Sequence, residues 1–416
     1  MAVKATPRRR TSAKRDLIID KASHILNGQG LGNTRLIDVA EQVGLTRAAL
    51  YYYFPDMEAL AIACYERTIA AIRESIRQGQ AVDGDGRAKL KRFFEAMMSP
   101  DLLDRIVLVE ASALSGPSAA ALIARLTEAV AELIDLVRQA IDDGSVEPIT
   151  LPLAAAAIMG ATGQCALDYQ AGHRHGADQW SENLFQLFDS GLAARRDAAL
   201  MQPPPDMPIT SNVNIGFDRE ALAQLKRETL LRKATELFNK LGVDAVSLDD
   251  LVGELSVSKG VFYHYLESKE ELLLACYERS LNLADRISQH IEDLPIPAIQ
   301  KIGEYVRQII IQHHGPDGPF VVFYGTHALS ETHRTMVFRR LRYREARIHR
   351  WLAEARANGE LDFADLDLAH QAIDGMLRWV PKWEIPEGDA GRYARAGEKL
   401  ARLVLFGFGR PDGRSA

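Results

Sequence analysis

Cysteine is scarce. The 416-residue chain has three, Cys64, Cys165 and Cys276, and no two lie close in sequence. That excludes a CxxC redox or zinc pair and a disulfide-dense secreted scaffold, and it fits a reducing cytosol. With 17 prolines and 30 glycines, the chain has too little of either for a fibrous or low-complexity protein. Long apolar runs are missing as well. The longest, Leu151 to Leu167, is Ala-rich and broken by Gly160, Thr162, Gly163 and Gln164. A membrane span needs about 20 strongly apolar residues, so this stretch reads as a buried helix and no membrane partner is expected. The opening residues, MAVKATPRRRTSAKR, carry no apolar segment after their charges and lack the form of a secretory signal; a cytoplasmic location is expected. An excess of positive charge is also absent, the net charge being −6. This argues against coating nucleic acid through bulk charge, and leaves room for a local basic patch.

What the chain does have is a copy of itself. Ala63–Arg67 (ACYER) recurs as Ala275–Arg279, an offset of 212. The same register runs back to Lys14/Lys226 without a gap and matches Asn27/Asn239, Gly30/Gly242, Leu36/Leu248, Asp38/Asp250, Tyr51/Tyr263 and Tyr53/Tyr265. It resumes at an offset of 215, where Ala154, Ala157, Ile158 and Gly160 match Ala369, Ala372, Ile373 and Gly375. Near the ends, Phe188 and Gly191 match Phe406 and Gly409 at 218. A unit of roughly 200 residues is far longer than a solenoid repeat of about 20–50, so a domain has been duplicated. Between the copies, residues 201–218 include four prolines and several small polar residues, the composition of a linker.

Apolar spacing is helical throughout. Leu17, Ile18, Ala22, Ile25 and Leu26 share one helical face, as do Leu122, Leu126, Val130, Leu133 and Val137. Phe320–Tyr324 is short and β-rich and suits either state. In the first copy, Leu36, Val39, Ala40 and Val43 form the apolar side of a short helix, Gly44 interrupts it, and Thr46 caps a second short helix. On that second helix Arg47, Tyr51 and Tyr52 share a face, while Leu50 and Phe54 turn inward. The second copy repeats the pattern, with Ser247 and Ser258 as caps, Lys259, Tyr263 and His264 outward, and Lys269 opening the next helix. Two short helices joined by a tight turn make a wedge whose second helix fits a major groove about 12 Å wide.

At Thr34–Phe54 and Val246–Leu272 the sequence resembles the TetR (tetracycline-repressor-like) family of bacterial regulators. The second stretch follows the family's Ser-Lys-Gly…Tyr-x-Tyr/His…Ser-Lys-Glu-Glu-Leu pattern closely. In the first, Met57 replaces the pattern's Lys and Arg35 stands where the second copy has the capping Ser247. The resemblance implies an all-α chain of two tandem units, each with a three-helix DNA-binding domain and a larger helical domain for ligand binding and dimerisation. The boundaries expected are 1–60, 61–200, 201–218 for the linker, 219–272 and 273–416. It implies a ligand-responsive regulator, usually a repressor, that binds double-stranded operator DNA and is released by a small-molecule inducer. The last helices of the two copies are expected to pair within one chain as a pseudo-dimer, with a further homodimer as an alternative. The DNA contacts expected are Arg8, Arg9, Arg10, Thr34, Thr46, Arg47, Ala48, Tyr51 and Tyr52 in the first copy. In the second they are Ser247, Ser258, Lys259, Gly260, Tyr263, His264 and Lys269.

Phe93, Met97, Cys165 and Tyr169 in the first copy, and Phe323, Tyr324, His327 and Trp379 in the second, are candidate ligand contacts, against a default of core packing for each. The cation-rich helix Arg339–Arg350 admits two readings, a solvated or interface face and a holder of an anionic inducer. His313, His314, His327 and His333 lack a metal-binding spacing, and no nucleophile, base and orienter come together in the sequence. No cofactor, metal or catalysis is expected.

Overall fold

The computed structural model describes residues 7–105, 107, 114, 116–172, 177–202, 219–254, 268–322, 325–382 and 391–409. Among these the chain is helical, with short 3₁₀ turns and two isolated β-bridges. The first unit contributes α1 (Pro7–Gln29), α2 (Leu36–Gln42), α3 (Arg47–Tyr51), α4 (Met57–Gln80), α5 (Gly86–Met97), α6 (Pro100–Leu103), α7 (Gly116–Asp142), α8 (Leu151–Gln170) and α9 (Ala177–Ser190). The second contributes α10 (Arg219–Leu241), α11 (Leu248–Glu254), α12 (Lys269–Glu292), α13 (Ala298–His314), α14 (Glu331–Ala357), α15 (Leu366–Trp379) and α16 (Arg392–Phe406). Phe320–Val322 is neither helix nor strand. The expected linker falls almost wholly outside the described residues.

Helix ends follow the polar residues that can satisfy free backbone N–H groups. Asp56, Asp85, Ser268, Ser330 and Asp365 each accept from an N–H in the first turn of α4, α5, α12, α14 and α15. α8 is apolar nearly all round, and its residues from Leu153 to Thr162 are buried. It lies against α15, and α16 packs on α13 and α9. α8, α9, α15 and α16 thus form the helical junction between the units.

At that junction residues meet their own counterparts. A Cβ built on Gly160 would stand 2.4 Å from the Gly375 carbonyl oxygen, and one on Gly375 would stand 2.2 Å from that of Gly160. Only glycine at both places allows the two helices to approach so closely. Further out, Phe408 N donates to Phe188 O at 2.7 Å and Leu192 N to Val404 O at 3.0 Å. The bridges Val146–Gly409 and Ala193–Leu361 likewise join one unit to the other. These reciprocal pairs set the offset at the chain ends to 216 rather than 218. Gly191 therefore corresponds to Gly407, and both take positive φ, +74° and +62°.

The two DNA-binding-type domains sit differently on this scaffold. Ile18, Ala22, Val39, Leu50 and Leu60 belong to one core that runs through the larger domains of both units. Leu230, Phe238, Leu251 and Leu272 form a separate cluster, closed by Leu329 and Val337.

Candidate functional site

The first helix-turn-helix is built as the pattern requires. Leu36, Val39 and Ala40 are buried on α2, and Gly44 turns the chain with φ +63°. Leu45 N then donates to Ala40 O at 2.8 Å, fixing the entry to α3. Thr46 caps α3 through its hydroxyl, which accepts from Ala49 N at 3.2 Å. Leu50 and Phe54 are buried, and the Arg15 guanidinium lies 5.0 Å over the Phe54 ring. Arg47, Ala48, Tyr51 and Tyr52 are exposed, Tyr52 at 78%. Arg47 Nη2 donates to the Tyr51 hydroxyl at 3.0 Å, which holds the guanidinium over the helix face. An arginine so placed can donate twice to a guanine edge, and tyrosine hydroxyls can bond phosphates. Thr34 is different. It is buried and its hydroxyl donates to Gly30 O at 2.7 Å, so it braces the turn instead of facing outward.

At the start of α2, Asp38 Oδ2 accepts from Arg35 N at 2.9 Å, and its other oxygen pairs with the Arg35 guanidinium. Half of a capping box therefore survives in the first unit. The second has both halves: Ser247 N donates to Asp250 at 2.8 Å and Asp250 N to Ser247 Oγ at 3.1 Å. Lys269 is half-buried; burial lowers its pKa, and Asp244 and Asp250 partly offset this. Ser258, Lys259, Gly260, Tyr263 and His264 lie outside the described residues, as do the side chains of Arg8, Arg9 and Arg10.

Two identical asparagines tie these domains to the larger ones, a role that the sequence reading did not assign. Asn27 Nδ2 donates to Arg105 O at 3.0 Å and Gln170 Oε1 at 2.7 Å, and its Oδ1 accepts from Val107 N at 2.9 Å. Asn239 does the same with Phe320 O at 2.8 Å and Val322 N at 3.0 Å. The visible signal was a polar residue retained in both copies at the end of an apolar stripe.

The domains also touch each other directly. Gly32 N donates to Asp244 Oδ2 at 2.9 Å, across the repeat offset of 212. His327 Nε2 lies 3.0 Å from the same carboxylate oxygen, and Asn33 Nδ2 donates to His327 O at 2.9 Å. Burial alone would push the Asp244 carboxyl up. The hydrogen bond and charge of His327 and the Gly32 N–H outweigh it and hold the group below its usual range.

A cavity of about 620 Å³ lies where the units meet. His24, Asn27 and Gly28 of α1 and Gln164, Leu167, Asp168, Gln170 and Ala171 at the end of α8 line one side; α12, α13, Phe320–Val322, Thr326, α14 and α15 line the other. Of the candidate ligand contacts, none that is described lines it. Phe93 and Met97 are buried in an aromatic cluster in which Phe94 stacks on Phe188 at 5.1 Å. Cys165 is fully buried, Tyr169 meets Trp180 edge-on at 6.1 Å, and Trp379 packs beside Gly160. His327 is spent on the clasp, and Phe323 and Tyr324 lie outside the described residues.

The polar wall comes instead from Arg342, Arg344 and Glu345 on the cation-rich helix, with Tyr305, Asp374 and Arg378. Asp374 accepts from Arg344 Nη2 at 3.2 Å and Arg378 Nε at 2.7 Å. Burial opposes its charge, but Arg378 and Arg344 prevail and hold it at about 2. Burial pushes the Cys64 and Cys276 thiols up to about 12; both are packing residues. Among the described residues no His, Cys, Asp and Glu group has metal-site geometry, and no helix is long and apolar enough to cross a membrane.

Comparison with known proteins places this architecture. The profile described as bacterial regulatory proteins, tetR family, matches residues 18–64 and again 230–276, and that of the tetracyclin repressor-like C-terminal domain matches 295–407. The transposon Tn10 TetC protein of Escherichia coli is 35% identical over 89 residues, covering 21% of this chain and 45% of its own. The HTH-type transcriptional repressor DhaR of Mycobacterium sp. (strain GP1) is 31% identical over 85 residues, 20% of this chain and 43% of its own. The chain thus spans about half the length of the curated relatives it matches. Among solved structures, the TetR family regulator PfmR from Thermus thermophilus aligns at 25% identity and TM-score 0.37, over 44% of this chain and 99% of its own. With its DNA-binding domain present twice and followed by the repressor-like C-terminal domain, the chain belongs to the tetR family of bacterial regulatory proteins, as two units fused in tandem.

Proposed function

We propose that the chain is a ligand-responsive transcriptional regulator, a repressor released by a small-molecule inducer, that binds operator DNA with both helix-turn-helix motifs as a single-chain pseudo-dimer. The observation that carries this reading is the meeting of matched residues within one chain, Gly160 with Gly375 and Gly32 with Asp244. Such reciprocity relates the two units as the subunits of a two-fold dimer are related, and dimers of this motif read half-sites one helical turn apart, about 34–36 Å.

The outward faces differ in chemistry. Arg47, Ala48, Tyr51 and Tyr52 serve one half-site, and Lys259, Gly260, Tyr263 and His264 the other, with Arg8, Arg9 and Arg10 reaching the backbone or minor groove. The operator is therefore two unequal half-sites. Footprinting of the chain on its own upstream region, with Arg47→Ala and Lys259→Ala, tests this. Each change should clear one half-site; loss at both from either change would count against it. Light scattering with operator DNA should give one chain per site.

A further inference from the structure

We propose that one largely apolar molecule with a terminal oxyanion occupies the cavity between the units and, through Phe320, Val322, Thr326 and His327, sets how the two helix-turn-helix domains are held together. This rests on the ligand-responsive reading above and adds the ligand's class, its number per chain and the route of its effect.

The class follows from the walls. Leu167, Leu281, Ile309, Phe320, Phe338 and Leu377 give the cavity apolar sides. Its size is that of sites that enclose a molecule of moderate size. At the polar end, Asp374 already accepts from both Arg344 and Arg378. Arg344 Nε is shielded from solvent and has no hydrogen-bond partner. Burial raises the Tyr305 pKa, so that hydroxyl keeps its proton and can donate. A guanidinium has five N–H donors and no acceptor, so this end has donors to spare. Glu345 flanks it, and Asp168, on the opposite wall, accepts from Gln164 Nε2 at 3.2 Å. A carboxylate or phosphate supplies the missing acceptors. A cationic head would face two guanidiniums and find Asp374 taken.

The number follows from the first unit. At the positions matching Tyr305, Arg344, Asp374 and Arg378 it has Phe93, Ala129, Met159 and Gly163. None can bind an oxyanion head through a charged or hydroxyl group.

The route is short. Phe320, Val322 and Thr326 line the cavity. Asn239 of the second DNA-binding domain grips Phe320 O and Val322 N. The residue after Thr326 is His327, which holds Asp244 and, through its carbonyl, Asn33. On the facing wall, His24, Asn27 and Gly28 belong to the helix that leads into Gly32. A molecule that spreads these walls pulls on both sides of the clasp at once.

The test uses the full chain. Titration calorimetry compares dodecanoate, dodecyl phosphate, dodecanol and dodecylammonium below their micelle-forming concentrations. Spin labels at Gln42→Cys and Glu254→Cys, exposed and matched positions, report the separation of the domains; the native cysteines are buried. The oxyanions should bind one per chain, at least tenfold tighter than the alcohol or the amine, and the tighter of the two names the head group. Arg344→Gln should erase that preference and Arg344→Lys restore part of it. Saturating oxyanion should shift the label distance, and Asp244→Ala should show the shift without ligand. Two molecules per chain, no preference for negative charge, or an unmoved distance would overturn the proposal. Should Arg344→Gln not fold, the head-group comparison on the unaltered chain decides. None of these measurements uses DNA. A chain that meets them yet binds no operator would sink the DNA-binding reading and leave this one standing.

Discussion

The two units share a helical framework and differ in what their larger domains enclose. In the first, Phe93, Met97, Ala129 and Met159 are buried among apolar neighbours. In the second, the matched positions are Tyr305, Ile309, Arg344 and Asp374, and they border a cavity. The junction helices have kept matched small residues, Ala154, Ala157 and Gly160 against Ala369, Ala372 and Gly375. Backbone approach at the junction tolerates no added atom, whereas a pocket wall tolerates substitution as long as its polar groups find partners. Duplication has thus left the seam uniform and let the interiors diverge.

The most severe way to break this comparison is at the seam. Gly160→Val places branched carbon against the Gly375 backbone, and the loss of stability should exceed the about 1–3 kcal/mol of ordinary overpacking. Gly375→Val should cost as much, and the double variant little more than either, because both act on one contact. Urea unfolding measures all three; fully additive losses would mean that the two glycines do not share a contact. Next in size, Arg47→Ala and Lys259→Ala should each cost about 1–3 kcal/mol of operator affinity, read as protection at one half-site. Asn27→Ala and Asn239→Ala each strip a part-buried group of its partners, at about 1–3 kcal/mol of stability. They should separate in function: Asn239→Ala should leave ligand binding intact and blunt the ligand's effect on DNA more than Asn27→Ala does.

Acid sharpens the contrast further. Burial holds His313 at about 3 and His370 at about 4, against 6.5 for an ordinary histidine. Both are neutral in the fold, so their stability is fully present above pH 6.5 and is lost as pH falls toward about 4 for His370 and about 3 for His313, while the unfolded chain takes up protons. The first unit has Ala155 where the second has His370. His370→Ala should flatten part of the decline in urea midpoint between these pH values, and an unchanged slope would argue against burial as its cause. The smallest effect is expected at Thr46→Ala, which removes the α3 cap for about 1 kcal/mol and should lower thermal stability slightly.

Much of this molecule was legible in its residues. Leu50 and Phe54 point inward and Thr46 caps α3 because local spacing determines them; the repeat register matched Gly160 with Gly375, but their contact comes from the packing of α8 on α15. The cavity was not legible. Arg339–Arg350 has the composition of a solvated face, and Arg344 turns inward toward Asp374, on another helix, which accepts its hydrogen bond. Asn27 and Asn239 stood out as identities, but their partners, apart from the Gln170 side chain, are backbone groups far away in sequence, which no side-chain pattern announces. Thr34 had the look of a surface contact until the Gly30 carbonyl was seen to take its hydroxyl.

The Gly32–Asp244 hydrogen bond carries a consequence for ancestry. In a symmetric dimer a residue near the axis faces its own copy. Two aspartates there would repel, and two glycines would offer no side chain to bond. A donor on one side and a carboxylate on the other is open only to halves that have stopped being identical. The clasp is therefore younger than the divergence of the two copies, because a pair of identical subunits would carry a side chain at both positions or at neither, and a Cβ on Gly32 would stand 2.3 Å from Asp244 Cγ.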